Sequence, residues 1–190
     1  MRKERLLVIV AFVFGVFTVA ATAQAESYSG TLNMFRNSPQ VRDFFDSSYG
    51  YAVFPTIGKA GYVIGGSYGT GRVYQGGRAT GRSTMIEGSI GFQIGGEAFS
   101  EIIFFKDRRA YQEFTSGNFE FDATAQAVVV TAGAGAQAGT TGISAGASGP
   151  GSSVQANTDY YKGMAIFVIP KGGLMVEFSV GGQKFSFDRR

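Results

Sequence analysis

The spacing of apolar residues predicts helices at two places in the chain. Residues 31–47 carry apolar side chains on one helical face, and Ser38 followed by Pro39 is typical of a helix start. The same spacing recurs between Asp107, a capping residue, and Gly117, a residue that ends helices. Because the first apolar stripe is short, we expect it to pack on the domain rather than to seek a membrane as an amphipathic helix.

Most of the remaining chain alternates with a period of two, which predicts strands. The alternation is clearest over residues 85–94, where Ile86 and Ile90 point one way and Glu87 points the other. Predicted strands cover residues 51–54, 62–64, 85–94, 102–105, 119–130, 163–169, 174–180 and 185–187. Turns are predicted at residues 170–173 and, as a two-residue hairpin, at Gly181-Gly182. The predicted fold is α+β and mainly β: an antiparallel glycine-rich sheet or barrel-like β-domain with two or three short helices.

The first residues have the pattern of an export signal. A positively charged start, an apolar run over residues 6–19 and the small residues of Ala23-Gln24-Ala25 predict cleavage after Ala25. That run is shorter than the roughly 20 residues of a spanning helix. Without cysteine, the chain can carry neither a lipid on an N-terminal cysteine nor a disulfide. We therefore expect a signal peptide at 1–25, a location in the periplasm or outside the cell, and one domain at 26–190 with a flexible Gly/Ala/Ser-rich loop at 139–157.

Composition excludes several function classes. Much of the excess positive charge lies in the leader, so the mature chain is nearly neutral and does not have the strongly basic character of a nucleic-acid binder. The absence of histidine excludes Ser-His-Asp and Cys-His catalysis and histidine-ligated zinc. We expect no metal site, no cofactor and no enzymatic activity. Glu97 and Glu101 are predicted to be surface charges rather than an acid–base pair.

Several short motifs occur in an order that resembles the SYLF-domain family. They lie at residues 50–55, 59–62, 64–66, 69–71, 91–97, 104–117, 172–175 and 182–185. The resemblance covers about residues 30–187 and implies a lipid-binding module. Eukaryotic members bind phosphoinositide membranes through a basic, amphipathic N-terminal region, and some act with cortical actin. Bacterial members similar to this chain carry an export signal.

A site for a lipid headgroup needs cationic side chains, backbone donors and nearby apolar surface. The candidate cations are Lys59, Arg72, Arg78, Arg82, Arg36 and Arg42. The candidate backbone contacts are Gly65, Gly66, Gly69 and Gly71, because glycine lets a phosphate approach the main chain. The expected partner is an anionic phospholipid or membrane surface, with apolar side chains of residues 31–47 adding contact. The competing interpretation is that the glycines shape strands and the cations are merely solvated.

Three other functions stay open at this point. A small outer-membrane β-barrel would suit the mature length and the alternating strands, but several predicted strands are too short to span a membrane. A periplasmic structural or protein-interaction domain would suit the same composition. A hydrolase using only carboxylates has no positive support in the sequence.

Overall fold

The computed structural model describes residues 28–121, 127–129, 160 and 162–190. It is mostly β, with three short helices and one curled, mainly antiparallel sheet, which confirms the predicted fold class. The helices are α1 (Tyr28–Arg36), α2 (Pro39–Ser47) and α3 (Arg108–Phe114). The strands are β1 (Gly50–Gly61), β2 (Ile64–Gln75), β3 (Arg78–Phe105), β4 (Phe119–Phe121), β5 (Ala127–Val129) and β6 (Met164–Arg189). The predicted signal peptide (1–25) and the predicted loop (139–157) lie outside the described residues.

Helices α2 and α3 begin where the sequence predicts, whereas α1 begins at Tyr28, before the predicted residue 31. Pro39 opens α2 directly after Ser38, and the Asp107 carboxylate caps α3 by accepting a hydrogen bond of 2.9 Å from the Ala110 amide. The apolar face of α1 and α2 packs on the sheet, with Phe35 and Val41 fully buried against strand residues. Phe35 and Val41 are therefore core residues, which confirms the expectation that this face packs on the domain.

The two longest strands were not predicted as continuous elements. β3 and β6 run unbroken and pair with each other from Gly81 with Arg189 to Phe105 with Met164. The turn predicted at 170–173 and the hairpin predicted at Gly181-Gly182 are both wrong. Positive φ values at Gly95 (127°) and Gly172 (139°) let the strands bend inside the ladder instead of ending there.

The pairing pattern curls the sheet around one hairpin. β1 and β2 form an antiparallel hairpin whose tip lies at residues 62–63, between Gly61 and Ile64. The first part of β3 pairs antiparallel with β2, and its last part pairs antiparallel with β1. Since β1 and β2 run in opposite directions, β3 must reverse its direction around residues 91–95, next to the hairpin tip. β6 follows β3 through this reversal, so the β3–β6 pair wraps around the tip.

The curled sheet encloses an apolar core that α3 closes at the end away from the tip. Phe54, Ile57, Phe105 and Phe185 are buried there with Phe114 of α3. Small residues make room for them: a Cβ on Gly71 would lie 2.6 Å from the Phe54 ring, and one on Gly69 would lie 2.5 Å from Ile57 Cγ1. These glycines are needed because a tightly curled sheet leaves little space on its inner face.

Candidate functional site

One of the predicted cations, Lys59, lies inside the sheet. Its Nζ is 3.2 Å from Glu87 Oε1, and both side chains are only 11% exposed. The Ser67 hydroxyl donates to the other carboxylate oxygen, Glu87 Oε2, at 3.0 Å. The ammonium of Lys59 is therefore held in a buried ion pair, which removes it from any site on the outer surface.

The four predicted backbone contacts lie in the middle of the sheet. Gly65, Gly66, Gly69 and Gly71 all belong to β2, which pairs with β1 along one edge and with β3 along the other. The main-chain donors of such a strand are occupied by the two ladders and do not face a ligand. Gly69 and Gly71 serve packing instead, as described above.

Two of the predicted arginines, Arg72 and Arg82, are cross-strand partners on the outer side of β2 and β3. Arg78 starts β3 opposite Gln75, whose amide donates to the Tyr49 hydroxyl on the inner side of the sheet. Arg78 and Arg82 are exposed, whereas the Arg72 guanidinium lies 4.1 Å from the centre of the Tyr28 ring of α1. The structure thus brings Arg72 and Arg82 into one strip beside the start of α1, whereas Arg78 lies at the turn where β3 begins.

The remaining two arginines are on the helices. The guanidinium of Arg36 lies 4.9 Å from the centre of the Phe45 ring and is also beside Tyr51. Burial raises the pKa of the Tyr51 hydroxyl, and the positive charge of Arg36 opposes this rise. Tyr51 stacks on Tyr74 of β2 at 5.0 Å, which connects Arg36 to the strip. Arg42 is exposed on α2. The six predicted cations therefore do not form one cluster.

The outer side of β2 and the first part of β3 forms a graded surface, which we call the β2–β3 outer face. Its cross-strand pairs, from the tip downward, are Ile64–Ile90, Gly66–Gly88, Tyr68–Ile86, Thr70–Thr84 and Arg72–Arg82. Within nine residues of each strand, the first three pairs are apolar or small apart from the Tyr68 hydroxyl, the fourth is hydroxylated and the fifth is cationic. A Cβ on Gly88 would meet no atom within 4 Å, so packing does not explain the absence of a side chain there.

Large apolar side chains are exposed around the hairpin tip, and we call this set the tip cluster. It consists of Tyr62, Val63, Ile64, Tyr68, Ile86, Ile90 and Ile94. Ile64 is 73% exposed and Ile90 is 72% exposed. Seven neighbouring side chains of this kind exceed the scattered apolar residues of an ordinary surface. The sequence showed the alternation over residues 85–94 but not that its apolar side faces outward.

Polar side chains fill the interior near the tip instead. Besides the Lys59–Glu87 pair, Glu101 is fully buried, so the expectation that it is a surface charge is wrong. Its Oε2 accepts a hydrogen bond of 3.4 Å from Gln183 Nε2, and within the described part of the chain Oε1 has no hydrogen-bond partner. Burial raises the pKa of Glu101 to about 8; Gln183 opposes this rise and the charge of Glu87 adds to it.

No group of three or more histidine, cysteine, aspartate or glutamate side chains in the ranges given above is arranged to hold a metal ion. No helix within those same ranges has the length and apolar character needed to cross a membrane.

Comparison with known proteins places the chain in a family. The family model described as "Ysc84: Las17-binding protein actin regulator" matches residues 86–190, which is more than half of the chain. A curated relative, Beta cell expansion factor A of Aeromonas veronii, is 27% identical over 161 residues, covering 83% of this chain and 53% of the relative. The chain thus spans about half the length of that relative. No solved structure matches significantly. The match over residues 86–190 shows that this chain belongs to the Ysc84 (SYLF) family.

Proposed function

We propose that this chain is an exported, non-enzymatic module that binds membranes containing anionic phospholipids. The observation that carries the proposal is the grading of the β2–β3 outer face from Ile64–Ile90 to Arg72–Arg82. A membrane surface presents the same sequence of environments, from hydrocarbon through polar headgroups to anionic phosphates. The export signal at residues 1–25 and the resemblance to lipid-binding SYLF domains support the same function.

The cations of this module are Arg72 and Arg82 on the β2–β3 outer face, with Arg36 beside them and Arg78 at the start of β3. Each Lys or Arg near an anionic membrane contributes on the order of 1 kcal/mol, and salt screens this contribution. Lys59 is left out of the proposal because its charge is already paired with Glu87. Binding to anionic vesicles is therefore expected to weaken with salt, and binding to neutral vesicles is expected to be weaker throughout.

The experiment compares two double charge reversals in the mature chain, residues 26–190. Arg72→Glu with Arg82→Glu changes the β2–β3 outer face, whereas the control Arg108→Glu with Arg109→Glu changes α3 by the same charge. Glutamate is tolerated near a helix N-terminus, so the control is expected to fold. Sedimentation with phosphatidylglycerol-containing vesicles should show at least tenfold weaker binding for the first variant only. Equal binding by both variants and the wild type would contradict the proposed site.

A further inference from the structure

We propose that the tip end of the curled sheet inserts into the hydrocarbon of one bilayer leaflet, leaving Lys171 and Lys184 at the level of the headgroups. This inference rests on the proposed function and extends it from contact with a membrane surface to a defined depth and orientation. The inserted part comprises the tip cluster and the small residues between its members.

The outer surface toward the tip is free of charge wherever the structure describes the side chains. Its outward positions, beyond the level of Tyr68, are Ala60, Tyr62, Val63, Ile64, Gly66, Gly88, Ile90 and Ile94. The charged residues of this segment are directed to the inner side, where Lys59 pairs with Glu87 and is the cross-strand partner of Glu97. The interior thus carries the charges that would otherwise oppose transfer into hydrocarbon.

The β3–β6 ladder runs through this part of the sheet. Val180 pairs with Ile90, and Val176 pairs with Ile94. The small residues Ala60, Gly66, Gly88 and Gly182 lie in one cross-strand row.

A ring of interfacial residues borders this surface. Ile86 lies between Tyr68 on β2 and Lys184 on β6, and Lys184 is exposed and opposite Glu120 of β4. On the other side of the sheet, Lys171 of β6 is exposed. It lies at the irregularity in the β3–β6 register opposite Ala98 and Phe99, close to the level of Tyr68 and Lys184. Tyrosine and lysine favour the boundary between hydrocarbon and headgroups, since each has an apolar body and a polar end.

The dimensions fit one leaflet. Ile64 and Tyr68 are separated by about 13 Å along an extended strand, close to the roughly 15 Å of hydrocarbon in one leaflet. Arg72 lies about 26 Å from Ile64, just outside the roughly 20–22 Å that one leaflet spans with its headgroups. Insertion to the level of Tyr68 therefore places Thr70 among the headgroups and Arg72 near the anionic surface.

A bilayer fits this surface better than a protein partner does. Both edges of β2 are already paired, so no partner strand can add to it. The exposed isoleucines stand on the outer side of the curled sheet, next to the hairpin tip. Lipid accepts protruding side chains without a matching surface, and anionic headgroups complement the bordering lysines.

The test measures the depth of single tryptophans, which is straightforward because the chain contains no tryptophan. Ile64→Trp probes the tip, Thr70→Trp probes the predicted headgroup level, and Arg108→Trp on α3 is the control. Each variant of residues 26–190 is mixed with phosphatidylcholine–phosphatidylglycerol vesicles brominated deep in the acyl chains. We expect a blue shift and at least twofold stronger quenching at position 64 than at 70, and neither effect at 108. Ile90→Trp repeats the tip measurement if the Ile64 variant does not fold.

The outcomes separate this inference from the proposed function. Vesicle binding without a blue shift or deep quenching at positions 64 and 90 would overturn insertion and leave surface binding intact. Failure of the wild-type chain to bind any vesicle would overturn both. A blue shift that grows with protein concentration in the absence of vesicles would identify a second copy of the chain as the occupant and overturn insertion. In support, Ile64→Ser with Ile90→Ser should reduce vesicle binding about tenfold or more.

Discussion

Replacing the buried carboxyl of Glu101 by an amide should change how stability depends on pH. Glu101 is fully buried, its Oε2 accepts a hydrogen bond from Gln183, and burial raises its pKa from the ordinary 4.5 to about 8. Between these two values the native chain binds more protons than the unfolded chain. The free energy of unfolding therefore falls as pH rises from about 4.5 to 8. The contribution of Glu101 to this free energy is most favourable below pH 4.5.

The size of the effect follows from the two pKa values. Each unit of difference corresponds to about 1.4 kcal/mol, so Glu101 lowers the stability at pH 9 by up to roughly 5 kcal/mol relative to pH 4.5. That is a large part of the 5–15 kcal/mol that stabilises a typical domain. Glu101→Gln keeps the shape and stays neutral, so the variant should lie within about 1 kcal/mol of the wild type at pH 5 and exceed it increasingly up to about pH 8.

The assay is urea unfolding of residues 26–190 at five pH values from 5 to 9. Glu113→Gln is the matched control, because Glu113 is an exposed carboxylate on α3. The control should follow the wild type at every pH. Parallel curves for Glu101→Gln and the wild type across this range would refute the claim that Glu101 is buried and takes up a proton on folding.

Two further predictions concern the glycines and the leader. Gly71→Ala should lower stability by about 1–3 kcal/mol, because its Cβ would lie 2.6 Å from the Phe54 ring, and urea unfolding measures this. The control Gly88→Ala should be neutral or stabilising by about 0.5–1 kcal/mol, since its Cβ meets nothing within 4 Å. Equal losses of stability in the Gly71 and Gly88 variants would contradict the packing argument. The exported chain should begin at Glu26, and intact-mass measurement of an uncleaved chain would contradict the predicted signal.

Local signals in the sequence were sufficient for the helices and for the class of the fold. The Asp107 cap and the spacing after it involve residues only a few positions apart, so the sequence shows them directly. The same holds for the alternation over residues 85–94. The sequence did not show which side of this alternation faces the core. The inner side of this sheet carries the Lys59–Glu87 pair, whose members are 28 residues apart. A polar inner layer reverses the usual rule that the apolar side of a strand faces the core.

The continuity of the long strands was missed for a related reason. Gly172 and Gly95 are typical of turns, but here each stays in the β3–β6 ladder and bends it. The burial of Glu101 likewise depends on β6, whose Gln183 is 82 residues away. The candidate cations were found by composition and resemblance, whereas the exposed tip cluster required the pairing of β2 with β3.

The most direct test of membrane binding is a salt series with the mature chain and two kinds of vesicle. Residues 26–190 are sedimented with anionic and with neutral vesicles from low salt to about 1 M, where charges are screened within roughly 3 Å. We expect strong binding to anionic vesicles that falls with salt to a residual level, because the apolar tip still inserts when the arginines are screened. Absence of binding to either kind of vesicle at every salt concentration would contradict the proposal that this chain binds membranes.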